Sequence, residues 1–169
     1  WESNVIPEYR WFNGEVTYAT LDDTVLPGEL VTINQLGGDL NDPDARIFPV
    51  KRFTGKQPYD AGNQTMAIPH LFPFTPAAED TNAFWKFYDW DLALEGGMDY
   101  VGRTYSGSIG YIETEMFWIQ NHMVAPKEDA LTCTDCHTPN GRLTFAELGY
   151  DAERAILLQN MFGFEIENI

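Results

Sequence analysis

Cys133-Thr-Asp-Cys136-His137 sets two thiols three positions apart and an imidazole directly after the second. These are the groups a protoporphyrin needs for covalent attachment. Each thiol adds to one vinyl group as a thioether, and the imidazole reaches the iron. A zinc half-site would use the same residue types, but zinc takes a second ligand pair at fixed spacing, and the chain holds only two cysteines and three histidines. The motif therefore predicts one haem c on Cys133 and Cys136 with His137 as proximal ligand.

Function then turns on the sixth position of that iron. A histidine gives a low-potential electron-transfer haem, a methionine raises the potential, and an empty position permits chemistry on a small ligand. The candidates are His70, His122 and five methionines. Met116 and Met123 have no setting that selects them, so histidine is favoured. His70 lies between Pro69 and Leu71-Phe72, where a restricted backbone would hold its ring in one direction. One iron needs one distal histidine and the chain offers two. The spare is either structural or reaches a haem carried by another polypeptide.

The elements that must position these residues read as follows. Tyr9-Arg-Trp-Phe12, Asn13-Gly14 and Glu15-Val-Thr-Tyr18 predict a short antiparallel hairpin. Residues 26–44 are turn-rich, and Arg46 to Phe53 is extended, held to a sheet edge by Pro49. Residues 54–80 read as irregular chain wrapped over something large and flat. A helix is predicted from Asp80 or Thr81 through Glu95, stopping at Gly96-Gly97, with Phe84, Phe87 and Tyr88 as core contacts. Ile112 to His122 reads as a short helix delivering His122, Ala125 to Leu131 as a second with Pro126 in its first turn. Ala152 to Phe162 reads as a last one, capped by Asp151 and ended by Gly163, with Ile156, Leu157 and Phe162 in the core. The fold class so predicted is mainly α, with much irregular chain and a small N-terminal antiparallel β ribbon. It is one domain, 1–169, with a soft boundary at 73–80 between a ribbon-and-loop region (1–72) and a helical haem-binding region (80–169).

Composition narrows the partners. The 169 residues are 44% hydrophobic, enough for a core, and carry a net charge of −16, which argues against nucleic acid and anionic membranes. No apolar run reaches the ~18 residues of a membrane span. The opening Trp1-Glu-Ser-Asn implies a removed signal peptide or a start inside a longer precursor. Because c-type attachment is completed outside the cytoplasm, the expected location is periplasmic or extracellular.

The run from His122 through Cys133, Cys136 and His137 to Leu143 resembles the C-terminal part of the octahaem tetrathionate reductase family of multihaem c-type cytochromes. Trp11-Phe-Asn-Gly14, Arg46-Ile-Phe-Pro-Val-Lys51, Gly55-Lys-Gln-Pro-Tyr-Asp60, Pro69-His70-Leu-Phe72, Phe84-Trp-Lys86 and Thr114-Glu-Met116 are similar too, in the same order. The resemblance implies a multihaem-cytochrome-like C-terminal lobe and closely packed bis-His haems. It also implies His70 and His122 as axial ligands, and reduction of small sulfur or nitrogen oxyanions at one unusual haem. This chain has one CxxCH where the family has eight, and no catalytic residue can be placed on it. The expected partner is a haem-rich polypeptide or further copies of the chain, together with redox proteins. If one of the two histidines completes the local haem, the other can complete a haem on the partner. A predicted helix between His122 and Cys133 favours His70 for the local iron. Gly55-Lys-Gln57 is faintly similar to a calcium-holding segment of related nitrite reductases; with no carboxylate cluster beside it, calcium is the minor cofactor reading. The leading function is electron transfer within a multihaem assembly. The alternatives are a non-catalytic subunit of a tetrathionate, nitrite or hydroxylamine reductase whose catalytic haem lies on a partner chain, and a unit of an extracellular cytochrome filament.

Overall fold

The computed structural model describes residues 5–74, 76–121 and 125–162. In chain order the elements are β1 (Glu8–Phe12), β2 (Val16–Tyr18), β3 (Leu30–Thr32), β4 (Asn34–Leu36), β5 (Arg46–Asp60), β6 (Thr65–Met66), α1 (Phe84–Phe87), α2 (Trp90–Tyr100), β7 (Ile109–Ile119), α3 (Cys133–Cys136) and α4 (Ala152–Gln159). Strand accounts for 28% of the described residues and helix for 21%, which corrects the mainly α expectation. One sheet has the order β1-β5-β7-β3 with β6 also on β5; β2 and β4 form a second. β1 pairs antiparallel with β5 and β3 parallel with β7.

The helix expected at 112–122 is the strand β7. Its signal was a period of two: Ile112 and Thr114 are buried while Glu113 is exposed, and Ile, Tyr, Thr, Phe and Trp suit a pleated surface. The N-terminal hairpin is corrected too. Its strands exist, but β1 pairs with β5 and β2 with β4. Gly37 sits between the arms of the Asn-Gly turn, its carbonyl accepting from Asn13 N–H and its N–H donating to the Glu15 carbonyl. Pro49 lies on the strand between β1 and β7 rather than at an edge. Its carbonyl accepts from the Gln120 amide, one residue beyond β7, so its missing N–H falls where the ladder is ending. Residues 54–60, read as irregular, continue β5.

The chain divides into two compact units. One comprises 1–17, 34–53 and 117–169. Its C-terminal core is Leu143, Phe145, Leu148, Ala155 and Leu158, packed against Tyr9, Trp11 and Ile47. The Trp11 indole N–H donates to the Leu148 carbonyl at 2.8 Å, tying β1 to a segment 137 positions away. α4 is shorter than expected. Its cap is as read, with Asp151 accepting from Arg154 N–H at 2.8 Å, but Ile156, Leu157 and Phe162 are exposed, and Ala155 and Leu158 face the core instead. The helix read at 125–131 is a single 3₁₀ turn at Lys127–Asp129, with Pro126 as its cap.

The other unit comprises 18–33 and 54–116. The long helix expected at 80–95 is broken. α1 ends at Tyr88, whose φ of 56° is left-handed, and Asp89 caps α2 by accepting from Leu92 N–H. α2 runs through Gly96 and Gly97 because the segment Ile68–His70 lies against it, and a β-carbon at Gly97 would collide with the Ile68 carbonyl. Those glycines serve close approach, not termination. Of the aromatics read as core, Phe87 and Tyr88 are at the surface, 43% and 71% exposed.

Candidate functional site

α3 is one helical turn, which puts Cys133 and Cys136 on the same side of the backbone. Thr132 opens it. The Asp135 carboxylate accepts the Thr132 N–H and hydroxyl, each at 2.7 Å, and these bonds hold Asp135 below the usual carboxylate range. His137 closes the turn, donating its N–H to the Cys133 carbonyl at 2.9 Å. The two cysteines form no disulfide, Cys133 exposed and Cys136 half-buried against the C-terminal core. Burial and then the Asp135 charge push the Cys136 thiol up, the opposite of an activated redox dithiol.

The His137 ring is held from two sides. Its plane stacks on Phe145, with centroids 5.0 Å apart. Nδ1 lies 3.0 Å from the Leu158 carbonyl, which can only accept, so Nδ1 carries the proton and Nε2 keeps a lone pair. That carbonyl belongs to the last turn of α4, the negative end of the helix. Gln159 Nε2 donates to the Thr138 carbonyl, and Phe162 N–H to the His137 carbonyl. The end of α4 is thus stapled to the turn that follows the motif. A haem fits this donor set: two thiols on one turn, then an imidazole whose second nitrogen is fixed by a main-chain oxygen.

His70 sits in the other unit with its side chain 11% exposed. Nε2 meets the fully buried Asp80 carboxylate at 2.6 Å. Asp80 also accepts from the N–H groups of Phe74, Asn82 and Ala83. Burial raises its pKa, but the Phe74 N–H, the His70 ring and the other two amides outweigh that, leaving it well below the usual carboxylate range. The His70 ring lies tilted against Phe74, with centroids 4.3 Å apart. His122 and Met123 lie outside the described residues. Met66 and Met98 are buried, and Met98 sulfur accepts from Ile68 N–H. Gly55 to Gln57 lies in the middle of β5, with Lys56 paired to Glu113 at 3.3 Å. Among the described residues no group of three or more His, Cys, Asp or Glu side chains could hold a metal ion.

Asp80, Phe145 and the Leu158 carbonyl escaped the sequence reading. Asp80 looked only like a helix start, and a main-chain oxygen 21 positions from its histidine leaves no trace in a motif.

A family model described as bacterial cytochrome c matches residues 1–140. The chain belongs to the bacterial cytochrome c family. Among solved structures, this cytochrome is similar to the octahaem cytochrome c from Shewanella oneidensis, with 36% identity and a TM-score of 0.78. The match covers 90% of this chain and 35% of that one, so the cytochrome spans about a third of that protein's length. No curated protein matches. The family assigns covalently bound haem c and electron transfer to the chain. α4 and its Leu158 carbonyl lie beyond residue 140, outside the matched region. No helix among the described residues is long and apolar enough to cross a membrane.

Proposed function

We propose that this cytochrome relays single electrons through one haem c as part of a larger multihaem assembly, in the periplasm or outside the cell. Cys133 and Cys136 hold the macrocycle, and His137 is the proximal ligand through Nε2. A second histidine, His70 or His122, fills the sixth position. The histidine not used there completes a haem on a haem-rich partner polypeptide or another copy of the chain. When bound, the group supplies a one-electron couple whose potential follows from its axial ligands and burial. The protein's residues supply the rest. Phe145 and the Leu158 carbonyl hold the His137 ring in one plane and one tautomer, so little reorganises when charge changes.

The observation that carries the reading is the His137 tautomer, with Nδ1–H on the Leu158 carbonyl and Nε2 keeping its lone pair, directly after a turn that carries two unbridged cysteines. The match to about a third of an octahaem cytochrome supports the view of one lobe in a larger haem array. The resemblance to the octahaem tetrathionate reductase family belongs to the same proposal, with any oxyanion chemistry placed on the partner's haems. The test is EPR and absorption spectroscopy of the matured protein with whatever polypeptide co-purifies. A low-spin ferric signal from two imidazoles, with a reversible low potential, is expected. A high-spin five-coordinate iron, or a sulfur-to-iron charge-transfer band, would overturn the bis-His assignment.

A further inference from the structure

The two histidines within the described residues are held in opposite senses. His137 gives Nδ1–H to a carbonyl and keeps Nε2 open. His70 is turned the other way, with Nε2 facing Asp80. The buried Asp80 already accepts three backbone N–H groups, so it meets the ring as an acceptor and the ring proton lies on Nε2. Nδ1 is then the nitrogen with the lone pair. It makes no hydrogen bond with the described residues. The buried polar side-chain atom that lacks a partner among them is Arg10 Nε, so Nδ1 is not sealed from its surroundings.

The backbone around His70 suits an approach from the Nδ1 side, which brings the main chain close to whatever binds. Pro69 has no N–H. The His70 N–H is used by the Ala93 carbonyl, the His70 carbonyl by Phe84 N–H, and the Leu71 carbonyl by Trp85 N–H. A flat apolar group laid there strands none of these groups. The rings beside the histidine are aromatic and exposed. Phe74 lies tilted against His70 and 6.4 Å from Tyr100, and Phe72 lies 6.5 Å from Trp85. Phe72, Phe74 and Tyr100 are 70, 59 and 79% exposed.

We infer that His70 meets its iron through Nδ1 rather than Nε2, and that Asp80 is the positioning residue that fixes the ring's tautomer and orientation. This rests on the axial role proposed above for His70. A carboxylate on the far nitrogen makes the imidazole a stronger donor and favours the oxidised iron.

The test uses the full matured protein with its haems and partner. Nδ1-methylhistidine placed at position 70 blocks Nδ1 and leaves Nε2, opposite Asp80, as the nitrogen with the lone pair, so a neutral methylated ring can ligate through Nε2 alone. One bis-imidazole low-spin EPR signal should disappear. In Asp80→Asn all signals should persist, while one haem shifts about tenfold toward the reduced form, which is 59 mV for a one-electron couple. Persistence of every signal in the methylated protein overturns the Nδ1 assignment, and an unchanged set of potentials in Asp80→Asn overturns the role of Asp80. His70→Ala separates the two levels. If it also keeps every signal, the axial role of His70 is itself wrong; if it loses one that the methylated protein keeps, only the choice of nitrogen fails.

Discussion

Replacing Gly97 by alanine should destabilise the cytochrome, although in an ordinary helix interior the same change stabilises by about 1 kcal/mol. Gly97 lies within α2, and a β-carbon there would overlap the Ile68 carbonyl and crowd the His70 amide nitrogen. These are backbone atoms, and the His70 N–H is already committed to the Ala93 carbonyl at 2.8 Å. Overpacking of this kind costs about 1–3 kcal/mol. Weakening the His70–Ala93 bond adds about 0.5–1.5 kcal/mol. Against the helical gain, the net loss is about 1–3 kcal/mol, or roughly 3–10 °C in melting temperature for a chain of this size. Gly96→Ala is the control. Its neighbour is the Asn82 side chain, which can rotate away, so the change should stay within about 1 kcal/mol of wild type. Urea unfolding of the holoprotein measures both. A Gly97→Ala protein as stable as wild type, or more so, would refute the packing of the His70 segment on α2.

Phe145→Leu removes the stack under His137 and the edge contact with Tyr150, and should cost about 1–3 kcal/mol in urea unfolding. Trp11→Phe, which deletes the indole bond to the Leu148 carbonyl, should cost about 1 kcal/mol by the same assay. Asp151→Ala removes the α4 cap and should cost about 1 kcal/mol, seen as faster hydrogen exchange across residues 152–159. For Asp60, burial raises the carboxyl but bonds from Ser106 and Asn63 outweigh it, so its folded pKa lies below the unfolded value near 3.9. Its contribution is therefore complete above that value and lost as pH falls through the folded one. The Asp60→Asn protein should show a shallower acid limb in unfolding free energy against pH.

The haem motif was legible because its chemistry is local: Cys133, Cys136 and His137 lie within five positions, and one helical turn suffices to bring them together. The Asp151 cap was legible for the same reason. What the sequence hid was long-range. Ile112 to Ile119 carries both helical and alternating readings, and pairing with β5 and β3 decided for strand. Gly96-Gly97 has the form of a helix stop, but it permits the contact of a segment some thirty positions earlier. The chain bends at Gly14 without closing a hairpin, since each of the two flanking strands found a partner elsewhere. Exposed rings such as Phe87 and Tyr88 read as core by period alone, since periodicity shows a face and not what covers it.

The most direct measurement is the intact mass of the matured protein under denaturing conditions, with fragmentation of the peptide spanning residues 132–142. The expected result is the mass of one haem retained on that peptide through both Cys133 and Cys136. Free thiols at the two positions, on a protein of unaltered mass, would contradict the account.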